Sequence, residues 1–315
     1  MAGPGFPPTG ESGQLGEADS ALWQELLAQV QAGMHTLPDK PEETSEATVR
    51  ALWHLANGEL LSARRASDRP LPPLDAPARD RLRNLVGLRL AGQPLAHLTE
   101  RQSFMGIEML AGPGALIPRS ETELLAGAAI ALLRRLADTD EPVVAVDVCT
   151  GSGNLAAALA LAEPRATVWA SDLSADAVAL ARRNMTYLWI EDRVSLLVGD
   201  LLTPFDTDEF RGQIALLTCN PPYISTGKMS QMDDEIVGHE PALAFDGGPL
   251  GIRILQRLIN ESPRLLKPGG WLAFEVGLGQ GPAVERRLIS SGDYRQVDRV
   301  ADAAGHVRAL LAQRQ

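Results

Sequence analysis

The spacing of apolar residues changes character along the chain. Leu22, Leu26 and Val30 share one helical face, with Trp23, Leu27 and Met34 beside it, and Ser20 is placed to cap that helix. A second helix is predicted from about 45 to 64, with Val49, Leu52, Trp53, Ala56 and Leu60 inward, before the Pro-rich stretch 70–77 breaks the pattern. A third follows Asp75 with Leu82, Leu85, Val86 and Leu90 inward, and Gly92 and Pro94 end it. These segments predict a helical domain over residues 20–100. Residues 1–19, rich in Gly, Pro and Ser and without an apolar period, read as a disordered tail. Residues 101–118 read as a linking β-hairpin: Phe104, Ile107 and Met109 precede a Gly112-Pro113-Gly114 turn, and Ala115-Leu116-Ile117 returns. Pro118 and Ser120 then open a helix, with Ser120 and Glu123 spaced as a capping box.

From residue 143 the period shortens. Apolar runs at 143–148, 166–171, 193–198, 213–219 and 270–276 read as strands, and helices near 153–163, 174–188 and 250–266 separate them. Such alternation predicts an α/β domain over 119–315, with a mostly parallel, Rossmann-like sheet covered on both faces. Segments 294–300 and 306–311 are expected to add edge strands.

Composition narrows the function. The chain of 315 residues carries 40 acidic against 29 basic side chains, a net charge of −11. A general nucleic-acid binder would need the opposite sign to displace counterions. The charge is uneven: residues 1–60 net −7, while residues 61–101 net +4 and hold eight arginines. Arg79, Arg81, Arg83 and Arg89 are expected mainly on the solvent side of their helix. The longest apolar stretch, 124–133, is too short for a bilayer span of roughly 20 residues. No Lys or Arg precedes Lys40, so a secretory or transit signal is not expected, and Cys149 and Cys219 are too few for a disulfide framework. A reducing cytoplasm is the expected location, without a membrane partner. The five histidines show no metal-ligand spacing, and no metal is expected.

The candidate chemistry gathers at the strand ends. Asp147-Val148-Cys149-Thr150-Gly151-Ser152-Gly153 ends the first strand of the sheet and opens a helix, and Gly151 and Gly153 let the backbone approach a ligand. The second strand ends at Asp172, about twenty residues on, where an acid is placed to accept both hydroxyls of a ribose. The third ends at Asp200-Leu201, where the acid is placed to face an adenine amino group. Asp147, Cys149, Thr150, Gly151, Ser152, Gly153, Asp172, Asp200 and Leu201 thus form a candidate cofactor site. Carboxylates without a Gly-Lys-Ser/Thr loop suit a neutral nucleoside attached to a cation, as in S-adenosylmethionine; a dinucleotide is the alternative.

The fourth strand runs into Asn220-Pro221-Pro222-Tyr223. Two prolines stop a central strand and give a stiff turn without N–H groups. The Asn220 Oδ1 and the Pro221 carbonyl can then accept both hydrogens of one NH₂ group, and Tyr223 offers a ring to stack on it. Pro-Pro is also an ordinary strand terminator. A loop with Met229, Met232, Asp233, Asp234 and Glu235 follows and reads as either a lid or a flexible insertion.

This tetrapeptide after a fourth strand resembles the signature of class I methyltransferases acting on planar nitrogens. The fuller set resembles the HemK family, the protein glutamine methyltransferases. It includes Leu116-Ile117-Pro118-Arg119-Ser120-Glu121-Thr122-Glu123, Glu240-Pro241-Ala242-Leu243-Ala244, Glu275-x-Gly277-x-x-Gln280-Gly281 and Asp302-x-x-Gly305-x-x-Arg308, and covers residues 94–311. The resemblance implies methyl transfer from S-adenosylmethionine to a glutamine side-chain nitrogen, with Asn220, Pro221, Pro222 and Tyr223 as the catalytic segment. It implies that Arg119, Thr122 and Asn220 also line the cofactor pocket, and that the helical domain recognises the protein substrate. That substrate is expected in the translation machinery, a peptide chain release factor first and a large-subunit ribosomal protein as the alternative. Ser120 replaces the family's usual Pro. Cys149 replaces the Gly usual in release-factor enzymes and is similar to the ribosomal branch. An adenine methyltransferase of nucleic acids and a non-catalytic scaffold are the other readings. The charge and late motifs stand against the first, and the intact tetrapeptide against the second.

Overall fold

The computed structural model describes residues 15–34, 36–138, 142–227 and 234–315. Most of the expected tail, residues 1–14, lies outside them, as do His35 and the loop residues Lys228 to Asp233. The first part is helical: α1 (Glu17–Gly33), α2 (Ser45–Ala56), α3 (Ala63–Ser67), α4 (Ala76–Leu90) and α5 (Leu95–Thr99). Their apolar faces enclose one core in which Leu22, Leu26, Val30, Leu52, Trp53, Leu82 and Val86 are all buried. The helix α1 starts within the expected tail, with Gly16 rather than Ser20 at its N-cap. The expected second helix is broken, because Asn57-Gly58 turns the chain with Gly58 at φ +90°, and Leu60 is left exposed. Asp75 caps α4, accepting from the Ala78 N–H at 2.7 Å.

The arginine-rich face is not simply solvated. Arg89 is buried, because its guanidinium reaches Glu43 and Glu235. Arg79 pairs with the buried Asp19, and Arg81 donates to the Ala56 carbonyl.

The hairpin is smaller than expected: β1 (Arg101–Phe104) pairs with β2 (Ile107–Leu110) around Met105-Gly106. Both turn residues have positive φ, +52° and +76°, as a two-residue hairpin turn with the strands' own twist requires. The Gly112-Pro113-Gly114 segment is therefore not the hairpin turn, and 115–117 is not a strand. The capping box also fails to form: α6 (Thr122–Leu136) starts two residues after Ser120, and its cap, Glu121, makes no side-chain capping bond. The Ser120 hydroxyl donates to the Asp39 carbonyl instead, and Glu123 accepts from the Met105 N–H.

The α/β part is a seven-stranded sheet. Its elements are β3 (Val143–Val148), α7 (Asn154–Ala162), β4 (Ala166–Asp172), α8 (Ala175–Tyr187), β5 (Val194–Val198), β6 (Ile214–Cys219), α9 (Asp234–His239), α10 (Arg253–Glu261), β7 (Leu266–Glu275), α11 (Gly281–Ser291), β8 (Tyr294–Ala301) and β9 (Val307–Arg314). The strand order is β5-β4-β3-β6-β7-β9-β8, parallel through β7. The last two strands do not both lie at the edge. The chain β9 runs antiparallel between β7 and β8, and its buried Ala309 to Ala312 explain that inner place. Two cores cover the sheet: Val143 and Ala145 pack in the core that holds α6 and α7 residues, while Val144 and Val146 face the core of α10 and α11. From β3 the chain steps outward to β4 and β5 and then crosses back to β6 on the other side of β3, so the order reverses between β3 and β6 and a crevice opens above their carboxyl ends. Among the described residues, no helix is long and apolar enough to cross a membrane.

Candidate active site

Two adjoining cavities occupy that crevice. The first, about 310 Å³, is lined by Thr122, Cys149, Thr150, Gly151, Asp172, Asp200, Leu201 and Pro222 among others. The second, about 600 Å³, is lined by Pro221, Tyr223, Glu275, Gly277 and Arg308 among others. Leu116, Arg119, Asn220 and Ala244 belong to both walls. The sequence-predicted residues thus converge, except that Asp147, Ser152 and Gly153 line neither cavity.

Asp147 is fully buried under the loop, accepting from the hydroxyls of Thr150 at 2.6 Å and Thr218 at 2.7 Å. Burial pushes its carboxyl up to about 7, although both hydroxyls oppose that shift. Asp147 ties the loop to β6. The loop itself needs left-handed backbone at Gly151, φ +56°, and at Cys149, φ +57°. The Cys149 backbone explains why glycine suits that position: a side chain there carries a steric penalty of roughly 1–2 kcal/mol.

Asp172 ends β4 and is held by two backbone donors, Gly151 N–H and Ser174 N–H, each at 2.9 Å. Burial raises its pKa, and those N–H groups resist the rise. Each carboxylate oxygen keeps further lone pairs for a hydroxyl. Asp200 is less available than expected, because both its oxygens lie 2.9 Å from Arg257 Nη1 on α10. Arg257 was not predicted, since nothing local links residues 57 positions apart. Leu173 was missed too; it is 53% exposed and lines the first cavity beside Asp172.

Arg119 is buried and held on two sides. Its Nε lies 2.9 Å from Asp39, and its Nη2 donates to Glu240 at 2.5 Å. The other Glu240 oxygen accepts from the Ile117 N–H. This accounts for the Glu240-Pro241 segment: it fixes the arginine in the shared wall. The remaining nitrogen, Nη1, is buried without a partner among the described residues. A carboxylate ligand would satisfy it. An acid for a diol, a spare guanidinium N–H for a carboxylate and a glycine loop between them fit the ribose and amino-acid ends of S-adenosylmethionine.

The described end of the loop after the tetrapeptide is anchored. Glu235 of α9 pairs with Lys40 at 3.2 Å and Arg89 at 2.7 Å, both from the helical part. The reading of Asp234 and Glu235 as loop residues is therefore corrected to a docked helix, while Met229, Met232 and Asp233 lie outside the described residues.

Around the tetrapeptide, hydrogen bonds set the side chains. Tyr223 donates its hydroxyl to Glu275 at 2.9 Å, and burial together with that carboxylate raises the phenol's pKa, so it stays a donor. Thr122 donates to the other Glu275 oxygen at 2.7 Å. Its one proton being spent, its oxygen accepts from Asn220 Nδ2 at 3.1 Å. Among the described residues, neither Asn220 Oδ1 nor the Pro221 carbonyl accepts any hydrogen bond. Gly251, unpredicted, packs against this turn: a Cβ there would sit 2.2 Å from the Tyr223 carbonyl oxygen, at φ +68°. Gly251→Ala is expected to cost about 1–3 kcal/mol. Chemical denaturation checks this, and an unchanged midpoint would show that the packing is looser than drawn.

Comparison with known proteins agrees with this architecture. The family described as Methyltransferase small domain matches residues 120–252. The release factor glutamine methyltransferase of Moorella thermoacetica is 40% identical over 230 residues, covering 73% of this chain and 78% of that protein. The one from Streptomyces coelicolor is 37% identical over 285 residues, covering 89% and 93%. The hMettl16 catalytic domain, solved in complex with MAT2A 3′UTR hairpin 6, superposes with a TM-score of 0.53 at 15% identity, over 71% of this chain and 81% of that one; at that identity the likeness is one of fold. At these identities and coverages, the chain belongs to the release factor glutamine methyltransferase family.

Proposed function

We infer that this chain transfers a methyl group from S-adenosylmethionine to the side-chain amide nitrogen of a glutamine in a peptide chain release factor. The observation that carries the reading is Asn220, which stands in the wall shared by both cavities with Oδ1 unengaged among the described residues. Bound in the first cavity, S-adenosylmethionine supplies an electrophilic methyl group on a cationic sulfur. Asp172 holds its ribose, Gly151 gives its backbone room, and Arg119 Nη1 meets its carboxylate. Asp200, Thr122, Cys149, Thr150 and Leu201 complete that wall.

The glutamine enters from the second cavity. An amide nitrogen is a poor nucleophile because its lone pair is delocalised into the carbonyl. Asn220 Oδ1 and the Pro221 carbonyl accept its two N–H groups, which orients the nitrogen and favours the positive charge that develops on it as it takes the methyl group. The C–S bond breaks to leave a neutral thioether, and one N–H proton passes to solvent, so the methylated amide ends neutral. Pro222 stiffens the turn, and the Tyr223 ring lines the approach. Asp39, between α1 and α2, lines the second cavity, which supports a role for the helical domain in holding the protein substrate.

The relatives' names favour a release factor over a ribosomal protein. The chain should be incubated with label-bearing methyl donor, purified release factor, ribosomal subunits and RNA. Label is expected on the release factor. Label on a ribosomal protein or on RNA would move the assignment to that class.

A further inference from the structure

We propose that Glu275 is a positioning residue that sets, through Thr122, which end of the Asn220 amide faces the substrate. The inference rests on Asn220 as the acceptor of the glutamine amide, and adds what keeps it an acceptor. An asparagine amide is nearly symmetric in shape, so packing alone does not decide whether oxygen or nitrogen points outward. The decision here passes along a chain of hydroxyls. An ionised Glu275 only accepts, from Tyr223 at one oxygen and Thr122 at the other. Thr122 can then offer Asn220 only a lone pair, which calls for Nδ2 and leaves Oδ1 toward the cavities.

Protonation reverses this order. A neutral Glu275 can donate to the Thr122 oxygen. The Thr122 proton is then released toward Asn220, and the amide is stable with Oδ1 inward. Asn220 would present NH₂ to the substrate's NH₂, two donors facing each other.

The surroundings make such a proton accessible near neutrality. Glu275 is buried at the end of β7, and burial raises its pKa to about 7 against the hydrogen bonds from Thr122 and Tyr223. Two charged groups face it from neighbouring elements. Glu121, beside α6, pushes the pKa up, and Arg308 of β9, paired to Glu121 at 2.6 Å, pulls it down.

Two measurements test this. The Asn220 side-chain NH₂ resonances of the cofactor-free protein, assigned by their loss in an Asn220 variant, are expected to shift with a midpoint near neutral pH. They should not titrate over that range in Glu275→Gln, whose side chain has no carboxyl to protonate. In turnover, Glu275→Gln is expected to lower kcat by about tenfold, rising toward the loss of about 10²–10³ for a missing Asn220 acceptor where the amide is fully turned, with a smaller change in KM and without the wild-type fall toward acid pH. In a Thr122→Val background, where the relay is already cut, Glu275→Gln should add little. Resonances that do not titrate in the wild type, or additive losses in the double variant, would overturn the proposal. The resonance experiment also stands if Glu275→Gln proves unstable, because it uses the wild-type protein. A titrating amide with pH-independent turnover would support the relay and count against Asn220 as the substrate's acceptor, so the two ideas fail separately.

Discussion

Asn220→Ala is expected to lower turnover by about 10²–10³, comparable to the loss of one preorganised hydrogen-bonding group that acts in the transition state. The reason is local. Asn220 reaches both cavities, and among the described residues its Oδ1 accepts no hydrogen bond. Alanine removes the acceptor but leaves the neighbouring backbone, because the turn is fixed by Pro221, Pro222 and the packing of Gly251 against the Tyr223 carbonyl. Cofactor affinity should change little, since Asp172, Gly151 and Arg119 remain. Single-turnover kinetics with a release factor, set beside calorimetry of S-adenosylmethionine binding, separates the two effects. Turnover within a few-fold of wild type would remove Asn220 from the mechanism.

Asp172→Ala should act the other way, on affinity first. Its carboxylate is poised to take two ribose hydroxyls, and charge-assisted hydrogen bonds contribute roughly 1.5–3 kcal/mol each. The dissociation constant is therefore expected to rise by about a hundredfold or more. The substitution also leaves the Gly151 and Ser174 N–H groups without their acceptor, so the loop loses one tether to β4 and keeps the Thr150 N–H bond to the Ser171 carbonyl. The pH dependence has a definite sign. Burial holds the Asp172 pKa above its usual value, and the neutral acid is the weaker acceptor, so affinity should weaken as pH falls through that raised pKa. An unchanged dissociation constant would take the ribose away from Asp172.

Much of this site could be read from sequence because its signals are local. Strand ends, a glycine loop, an acid about twenty residues on and a Pro-Pro stop are all short-range patterns, and they converge because a parallel sheet brings its carboxyl ends to one edge. The groups that orient them were not readable in that way. Glu240 holds Arg119 from 121 positions away, and Thr122 meets Glu275 across 153. Sequence spacing carries no information on such pairs. Family motifs marked Glu240 and Glu275 without saying what they touch.

Asp147 has partners that its strand-end place does not reveal: two hydroxyls draw it beneath the loop. The hairpin failed for a related reason. Gly112-Pro113-Gly114 is the stronger turn signal by composition, yet Met105-Gly106 has the backbone geometry that two short antiparallel strands demand. Arg89 was expected in water because its own segment is rich in arginine. Its two acidic partners come from the loop before α2 and from α9, far away in the chain.

The most direct test of glutamine-amide methylation is tandem mass spectrometry of a release factor. The factor is incubated with S-adenosylmethionine and either this protein or its Asn220→Ala variant. One added methyl group on the side-chain nitrogen of a glutamine is expected with the wild type, and little or none with the variant in the same time. A methyl group on any other residue type, or an unmodified factor beside methylated RNA, would contradict the assignment.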